Sequence, residues 1–215
     1  KCSQRKNRMK NYCRIDRFIE SSIYTFAEWI AESTWQGKER DCVNIFSTRF
    51  ILPAVNSSST ITDYSQVRIE CGVPQPKGEL FSRPAAAKDL VIWREPLDVA
   101  WDSEWQPTNI PWVVIEWKTR RKGKFDSMFD SHDVRWLEAF TAQNTNAFGY
   151  TVTVDFCGAL RDVHFARFKN GKMKVNQRLI EKANANKTSL LTPAPPQVQA
   201  ATTATRSRSL APRQA

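Results

Sequence analysis

The feature that constrains the fold most is a series of short runs of β-branched and aromatic residues, bounded by Ser, Pro and Gly. Such runs are typical of β-strands. Four of them lie before residue 120: VNIFSTRFIL (43–52), QVRIECGV (66–73), KDLVIW (88–93) and WVVIEWK (112–118). Two further strand segments follow, namely GYTVTVDF at 149–156 and a hairpin at 163–175 with Asn170 and Gly171 as turn residues. The sequence therefore predicts a β-sheet at the centre of the fold.

Two segments carry apolar residues at three- and four-residue spacing, which is the pattern of an amphipathic helix. The first runs from Asp16 to about Thr34, and its apolar face consists of Phe18, Ile19, Ile23, Phe26, Ala27 and Ile30. The second spans 131–143, with Ser131 as candidate N-cap and an apolar face of Val134, Leu137 and Phe140. The order helix, strands, helix, strand and hairpin predicts an α/β fold in which helices flank a mixed central β-sheet.

A chain of 215 residues is long enough for one domain with a hydrophobic core and some appended chain. We expect a basic flexible arm at 1–14, a folded domain at 15–185 and a disordered basic tail at 186–215. The arm is polar and has no periodicity, and the tail is rich in Ala, Thr and Pro, so neither can bury a core. The net charge of +10 lies in the two ends, because residues 18–182 carry no net charge. The high isoelectric point alone therefore does not indicate nucleic-acid binding.

Cysteine usage and the absence of common motifs exclude several classes of protein. The five cysteines are widely spread and contain no C-x-x-C pair, so we expect an intracellular protein, cytoplasmic or nuclear. No apolar run approaches the ~18 residues that span a bilayer, so we expect no membrane partner. The phosphate-binding glycine loops and the G-x-S-x-G elbow are missing, which argues against ATP-driven and dinucleotide chemistry. The two histidines, His132 and His164, lack the spacing of a zinc site.

The strand at 112–118 ends in a carboxylate and an amine that share one face. Side chains alternate along a strand, so Glu116 and Lys118 point the same way. Asp89 opens the preceding strand pattern, and if the two strands are neighbours, Asp89 and Glu116 converge on one hard cation such as Mg²⁺. Such a metal polarises a phosphodiester and lowers the pKa of a bound water, while a nearby lysine orients that water.

Together these elements resemble the PD-(D/E)XK nuclease superfamily over roughly residues 16–176. The resemblance rests on the following features in order: the first helix with Glu20, VRIECGV, Asp89 in KDLVIW, IEWK ending at Lys118, the helix from Ser131, and GYTVTVDF. It implies a restriction-endonuclease-like core and a metal-dependent endonuclease that hydrolyses phosphodiester bonds. By the same resemblance, Asp89 and Glu116 bind Mg²⁺, with Mn²⁺ as a substitute, Lys118 assists the attacking water, and Glu20 is a supporting acid.

Two features depart from the superfamily pattern. Lys88 stands where a proline usually precedes the first acid, and 26 residues separate Asp89 from Glu116, which requires an inserted loop between the two strands. The helix acid also has two alternatives besides Glu20, namely Glu28 and Glu32.

Two segments near the motif bear on binding partners. Arg120, Arg121, Lys122 and Lys124 follow Lys118 and would contact a phosphate backbone, although a solvated loop has the same composition. The Trp-rich loop at 93–112 could contact a protein, cover a core or stack on unpaired bases, and its acidic residues disfavour the last role. We expect a nuclease that acts on nucleic acid, preferably DNA. The alternative is a catalytically inactive module of the same fold that binds nucleic acid or a protein partner.

Overall fold

A six-stranded mixed β-sheet forms the centre of the protein in a computed structural model that describes residues 2–55, 60–78, 81–121, 127–157 and 161–175, with side chains from residue 14 onward. The spatial order follows the chain: β1 (Val67–Pro74), β2 (Ala85–Ile92), β3 (Val113–Arg120), β4 (Phe148–Asp155), β5 (Asp162–Lys169) and β6 (Lys172–Val175). Strands β3 and β4 are parallel, and the other neighbouring pairs are antiparallel. The predicted α/β class with a mixed sheet is confirmed.

Helices cover both faces of the sheet. They are α1 (Cys2–Glu32), α2 (Glu39–Phe46) and α3 (Ser131–Gln143). Apolar residues of α1 and α2 form one core with Val113, Ile115 and Trp117 of β3. Residues of α3 form a second core with Val114 of the same strand. The alternation of β3 therefore sends its odd-numbered residues towards α1 and α2 and its even-numbered residues towards α3.

The predicted strand at residues 43–52 is wrong, because this segment is helical. It comprises the end of α2, a π-helical turn at Ser47–Ile51 and a 3-10 turn at Leu52–Ala54. The Asp41 carboxylate accepts a hydrogen bond from the Lys38 N–H at 2.8 Å and so stabilises the start of α2. The buried side chains Cys42, Val43 and Phe46 then fall on one helical face. Helical spacing and capping outweigh the β-branched composition at this point.

Two boundary predictions also need correction. Helix α1 begins at Cys2 rather than at Asp16, so the expected flexible arm at 1–14 is helical from residue 2. This segment contains no Gly or Pro, and the packed helix that follows it removes the cost of nucleation. The N-cap of α3 is Asp130, not Ser131, because the Asp130 carboxylate accepts hydrogen bonds from the N–H groups of His132 and Asp133 at 2.8 and 3.1 Å. The predicted tail at 186–215 lies outside the described residues.

A polar contact fixes α1 on the sheet. The Asp16 carboxylate accepts a hydrogen bond from the Tyr150 hydroxyl at 2.6 Å and two from the Arg167 guanidinium, both at 2.7 Å. Tyr150 is fully buried on β4, and its pKa is raised by burial and by the charge of Asp16. The contact ties the first helix to two strands of the sheet.

The remaining strand predictions are confirmed. The hairpin of β5 and β6 turns at Asn170 and Gly171, whose φ angles of 51° and 70° are those of a tight turn with two left-handed residues. Among the described residues, no helix is both long and apolar enough to cross a membrane.

Candidate active site at the ends of β2 and β3

The site lies where the pairing of β2 with β3 stops. The ladder ends at Leu90 and Ile115, and continuing that register places Asp89 opposite Glu116. The Asp89 carboxylate instead accepts a hydrogen bond from the backbone N–H of Trp117 at 2.7 Å. The two acids therefore stand on adjacent strands, which is the condition that the sequence analysis set for their convergence, and the Asp89 side chain takes a position that a ladder carbonyl would normally occupy.

Glu116 is a buried carboxylate that forms an ion pair. Its Oε1 contacts the ammonium group of Lys88, and both residues are only 5% exposed. Burial raises the pKa of Glu116 to about 8, and the charges of Asp89 and Asp133 act in the same direction, while Lys88 opposes them. Glu116 thus has both positively and negatively charged neighbours in a region that is poorly solvated.

Lys118 lies two residues further along β3 and is more accessible. Its side chain is 37% exposed, and its ammonium group lies 3.3 Å from Asp133 Oδ2 and 3.6 Å from Glu39 Oε2. Partial burial acts to lower the pKa of Lys118, but the charges of Asp133, Glu39 and Asp89 outweigh it and raise the pKa above its ordinary value. Lys118 is therefore a protonated group held by two carboxylates, with one side open to solvent.

Two helix N-termini supply the carboxylates that contact Lys118. Glu39 is the first residue of α2, and Asp133 lies in the first turn of α3. The partial positive charge of a helix N-terminus stabilises a carboxylate at that position. The buried Oδ2 atom of Asp133 has its ion pair with Lys118 but no hydrogen bond among the described residues. The fold thus brings acids from opposite faces of the sheet to the same lysine.

A further acid, Glu39, contacts Lys118 from a helix other than the one that carries Glu20. Glu20 is half-buried on α1, and its negative charge contributes to the raised pKa of Tyr150. The alternatives Glu28 and Glu32 are exposed on the same helix. Among the described contacts, it is Glu39 of α2 that pairs with Lys118. Sequence analysis missed Glu39 because its segment was assigned to no helix, although Glu39 and Asp41 before an apolar helical face are a helix-start signal.

The basic segment after Lys118 is described only in part. Arg120 donates a hydrogen bond to the backbone oxygen of Ser127, and Arg121 is exposed. Burial raises the pKa of Cys42 on α2 to about 12, with a further rise from the charge of Asp41 and a smaller opposing effect of Arg121. Lys122 and Lys124 lie outside the described residues. Arg121 is therefore the one member of the basic segment after Arg120 whose exposure the structure describes.

Two acidic side chains accept hydrogen bonds within the Trp-rich loop at 93–112, and Asp98 accepts one from the Glu95 N–H. Asp102 accepts hydrogen bonds from the N–H groups of Glu104 and Gln106 and from the hydroxyl of Thr108. Its tryptophans differ in exposure, because Trp93 is fully buried, Trp101 and Trp112 are half-buried, and Trp105 is 78% exposed. Trp93 covers the core, and Trp105 presents a large apolar surface to solvent.

The donors at the site are oxygen atoms. Among the residues that the structure describes, no three His, Cys, Asp or Glu side chains are grouped so that they could hold a metal ion. The pair Asp89 and Glu116 offers two carboxylates, which is the donor type and number that Mg²⁺ commonly takes from a protein while it keeps several waters. The charged cluster at the site consists of four carboxylates and two ammonium groups, namely Glu39, Asp89, Asp133, Glu116, Lys88 and Lys118. Its formal charge is negative when all six groups are ionised.

Comparisons with known proteins give no relative for this chain: no protein-family model, no curated protein and no solved structure matches it.

Proposed function

We propose that the protein is a metal-dependent nuclease that hydrolyses phosphodiester bonds of nucleic acid, with DNA as the preferred substrate. The observation that carries the proposal is the position of Asp89 on β2 and of Glu116 and Lys118 on β3, just beyond the point where the pairing of these two neighbouring strands stops. The order of elements also supports it. Helix α1 precedes the antiparallel strands β1 to β3, and α3 then leads to β4, which is parallel to β3, as expected for a restriction-endonuclease-like core.

The donor set fits Mg²⁺ or Mn²⁺ held by Asp89 and Glu116. The negative charge of Asp89 destabilises the charged form of Glu116 and so adds to the rise in its pKa. When all four carboxylates are ionised, the cluster carries two more negative than positive charges, which one divalent cation would balance. Because the pKa of Glu116 is raised to about 8, a bound cation would replace a proton on this carboxylate at neutral pH. When bound, the metal supplies Lewis-acid polarisation of the phosphodiester and activates the attacking water.

The lysine at the open side of the cluster has the role of a positioning cation. Lys118 is protonated, partly exposed and held by Asp133 and Glu39, so its N–H groups can orient a water and balance charge that develops on the phosphate. Arg121 is exposed nearby and would contact a flanking phosphate. Glu39 and Asp133 fix the direction of the Lys118 side chain through their ion pairs.

A substrate panel tests the proposal. The full chain is incubated with plasmid DNA, single-stranded DNA and RNA, each in Mg²⁺, Mn²⁺ or EDTA, beside Lys118→Ala. The expected result is cleavage that needs a divalent cation and falls by at least about a hundredfold in Lys118→Ala. The matched control is Lys172→Ala, which removes an exposed lysine from β6 and should cleave like the parent. Cleavage that is unchanged by EDTA would contradict the proposal.

A second candidate function is a binding module without hydrolysis. The observation that favours it is the exposed Trp105, at φ 58°, on a loop that Asp102 holds in place, because a rigid exposed aromatic residue is typical of a protein interface. This candidate would be supported by salt-sensitive binding of nucleic acid, or by binding of a protein that Trp105→Ala abolishes, together with no metal-dependent cleavage of any substrate.

A further inference from the structure

Lys88 has a position that the pattern of β2 does not explain. Leu90 and Ile92 of β2 pack in the core with α1 and α2, and strict alternation would send Lys88 to that same face. The Lys88 ammonium group instead contacts Glu116 and lies 3.7 Å from the ring centre of Trp136 on α3. The side chain has therefore crossed to the face on which Glu116 lies.

A local break in the sheet accounts for the change of face. On the β1 side, Ile69 pairs with Leu90 and Cys71 pairs with Lys88, but Glu70 between them has a φ of 50°. A left-handed residue inside a strand interrupts the regular pleat. On the other side of β2, the ladder with β3 has already ended before Asp89. Asp89 is thus unpaired in the ladders on both edges of β2, and Lys88 lies just beyond this break, where the alternation of the strand is shifted.

The Lys88 ammonium group is held from two directions. Glu116 contacts it from β3, and the face of the Trp136 ring contacts it from α3. Trp136 is itself fixed, because its indole N–H donates to Gln75 Oε1 at 2.7 Å and its ring stacks on Phe140 at 4.8 Å between centres. The positive charge therefore lies in a prepared position against one of the two carboxylates that would bind a metal.

We propose that Lys88 is a built-in counter-ion of the metal-free site, which keeps Glu116 in place and competes with a divalent cation for its carboxylate. This inference rests on the proposed function. It makes Lys88 a positioning residue that weakens metal binding, because a unit charge within contact distance of Glu116 repels a divalent cation strongly in a poorly solvated region. Lys118 differs, since it pairs with Asp133 and Glu39 rather than with Glu116.

The experiment measures binding of Mn²⁺ alone, by the electron paramagnetic resonance signal of the free ion, to the full chain and two variants. Lys88→Gln removes the charge and keeps N–H donors on a side chain that is one atom shorter, whereas Lys88→Arg keeps the charge. We expect Lys88→Gln to bind Mn²⁺ at least tenfold more tightly than the parent, and Lys88→Arg to stay within about threefold of it. Adding Asp89→Asn to Lys88→Gln should abolish the gain, which assigns the gain to this site.

Equal or weaker Mn²⁺ binding by a folded Lys88→Gln protein would overturn the inference, and so would the absence of binding in both proteins. Circular dichroism and a thermal melt show whether each variant is folded. A cleavage assay on the parent separates this result from the proposed function. A parent that cuts with Mg²⁺ while Lys88→Gln gains no affinity refutes only the role of Lys88. A gain in Mn²⁺ affinity for Lys88→Gln, together with no cleavage by the parent, refutes only the proposed nuclease activity.

Discussion

Replacing Glu39 by Gln tests which helix acid belongs to the site. The change keeps the shape of the side chain and removes the charge that lies 3.6 Å from the Lys118 ammonium group. Coulomb's law at that separation gives about 1 kcal/mol in water and about 5 kcal/mol at an effective dielectric constant near 20. Both side chains are more than a third exposed, so screening reduces the net contribution to at most about 1 kcal/mol.

A loss of about 1 kcal/mol from the positioning of Lys118 corresponds to a roughly fivefold slower cleavage step. We expect Glu39→Gln to lower the single-turnover rate by about three- to tenfold, with a smaller effect in high salt and little change in the melting temperature. The charge of Glu39 also helps to raise the pKa of Lys118, so the alkaline limb of the pH–rate profile should move to lower pH in the variant.

The matched control is Glu20→Gln on α1, where the same chemical change affects the surroundings of Tyr150. This variant should cleave within about twofold of the parent. The assignment of Glu39 to the site is refuted if Glu20→Gln slows cleavage tenfold or more while Glu39→Gln leaves the rate unchanged.

Two further predictions concern stability. Asp16→Ala leaves the buried Tyr150 hydroxyl and the half-buried Arg167 without their shared acceptor, and should cost about 2–4 kcal/mol in urea unfolding, whereas Glu32→Ala on the same helix should change stability by less than about 0.5 kcal/mol. A cost for Asp16→Ala no larger than that of the control would contradict the anchoring role. Because the folded-state pKa of Glu116 is raised to about 8, the folded protein binds a proton that the unfolded chain releases near pH 4.5, so this group lowers stability as the pH rises from about 5 to 8. Glu116→Gln should remove that part of the slope, at most about 1.4 kcal/mol per pH unit, and parallel stability curves for the two proteins would contradict the assignment.

Patterns that depend on one element can be read in the sequence. The strands from β1 to β6 and the span of α3 follow from alternation, helical spacing and turn residues within each segment. The joint placement of Asp89 and Glu116 also follows, because it needs only that two strands with these acids be neighbours. The strand prediction at 43–52 fails because Val, Ile and Phe suit both a strand and a buried helix face, and only the helix start before the segment separates the two.

The remaining features of the site depend on contacts between elements that are distant in the chain. Glu39 reaches Lys118 only because α2 packs on β3, and Asp133 reaches it only because α3 begins at the same end of the sheet. Lys88 turns towards Glu116 through a break that involves Glu70 on another strand. Neither spacing nor composition within one segment carries that information.

The most direct test of the central claim is the single-turnover cleavage of plasmid DNA by the parent, Asp89→Asn, Lys118→Ala and the control Lys172→Ala, with Mg²⁺ and with EDTA. The proposed site predicts cleavage by the parent and by Lys172→Ala only when Mg²⁺ is present, and a loss of at least about a hundredfold in the two site variants. Equal cleavage by all four proteins, or cleavage that persists in EDTA, would contradict the assignment of a metal-dependent active site to Asp89, Glu116 and Lys118.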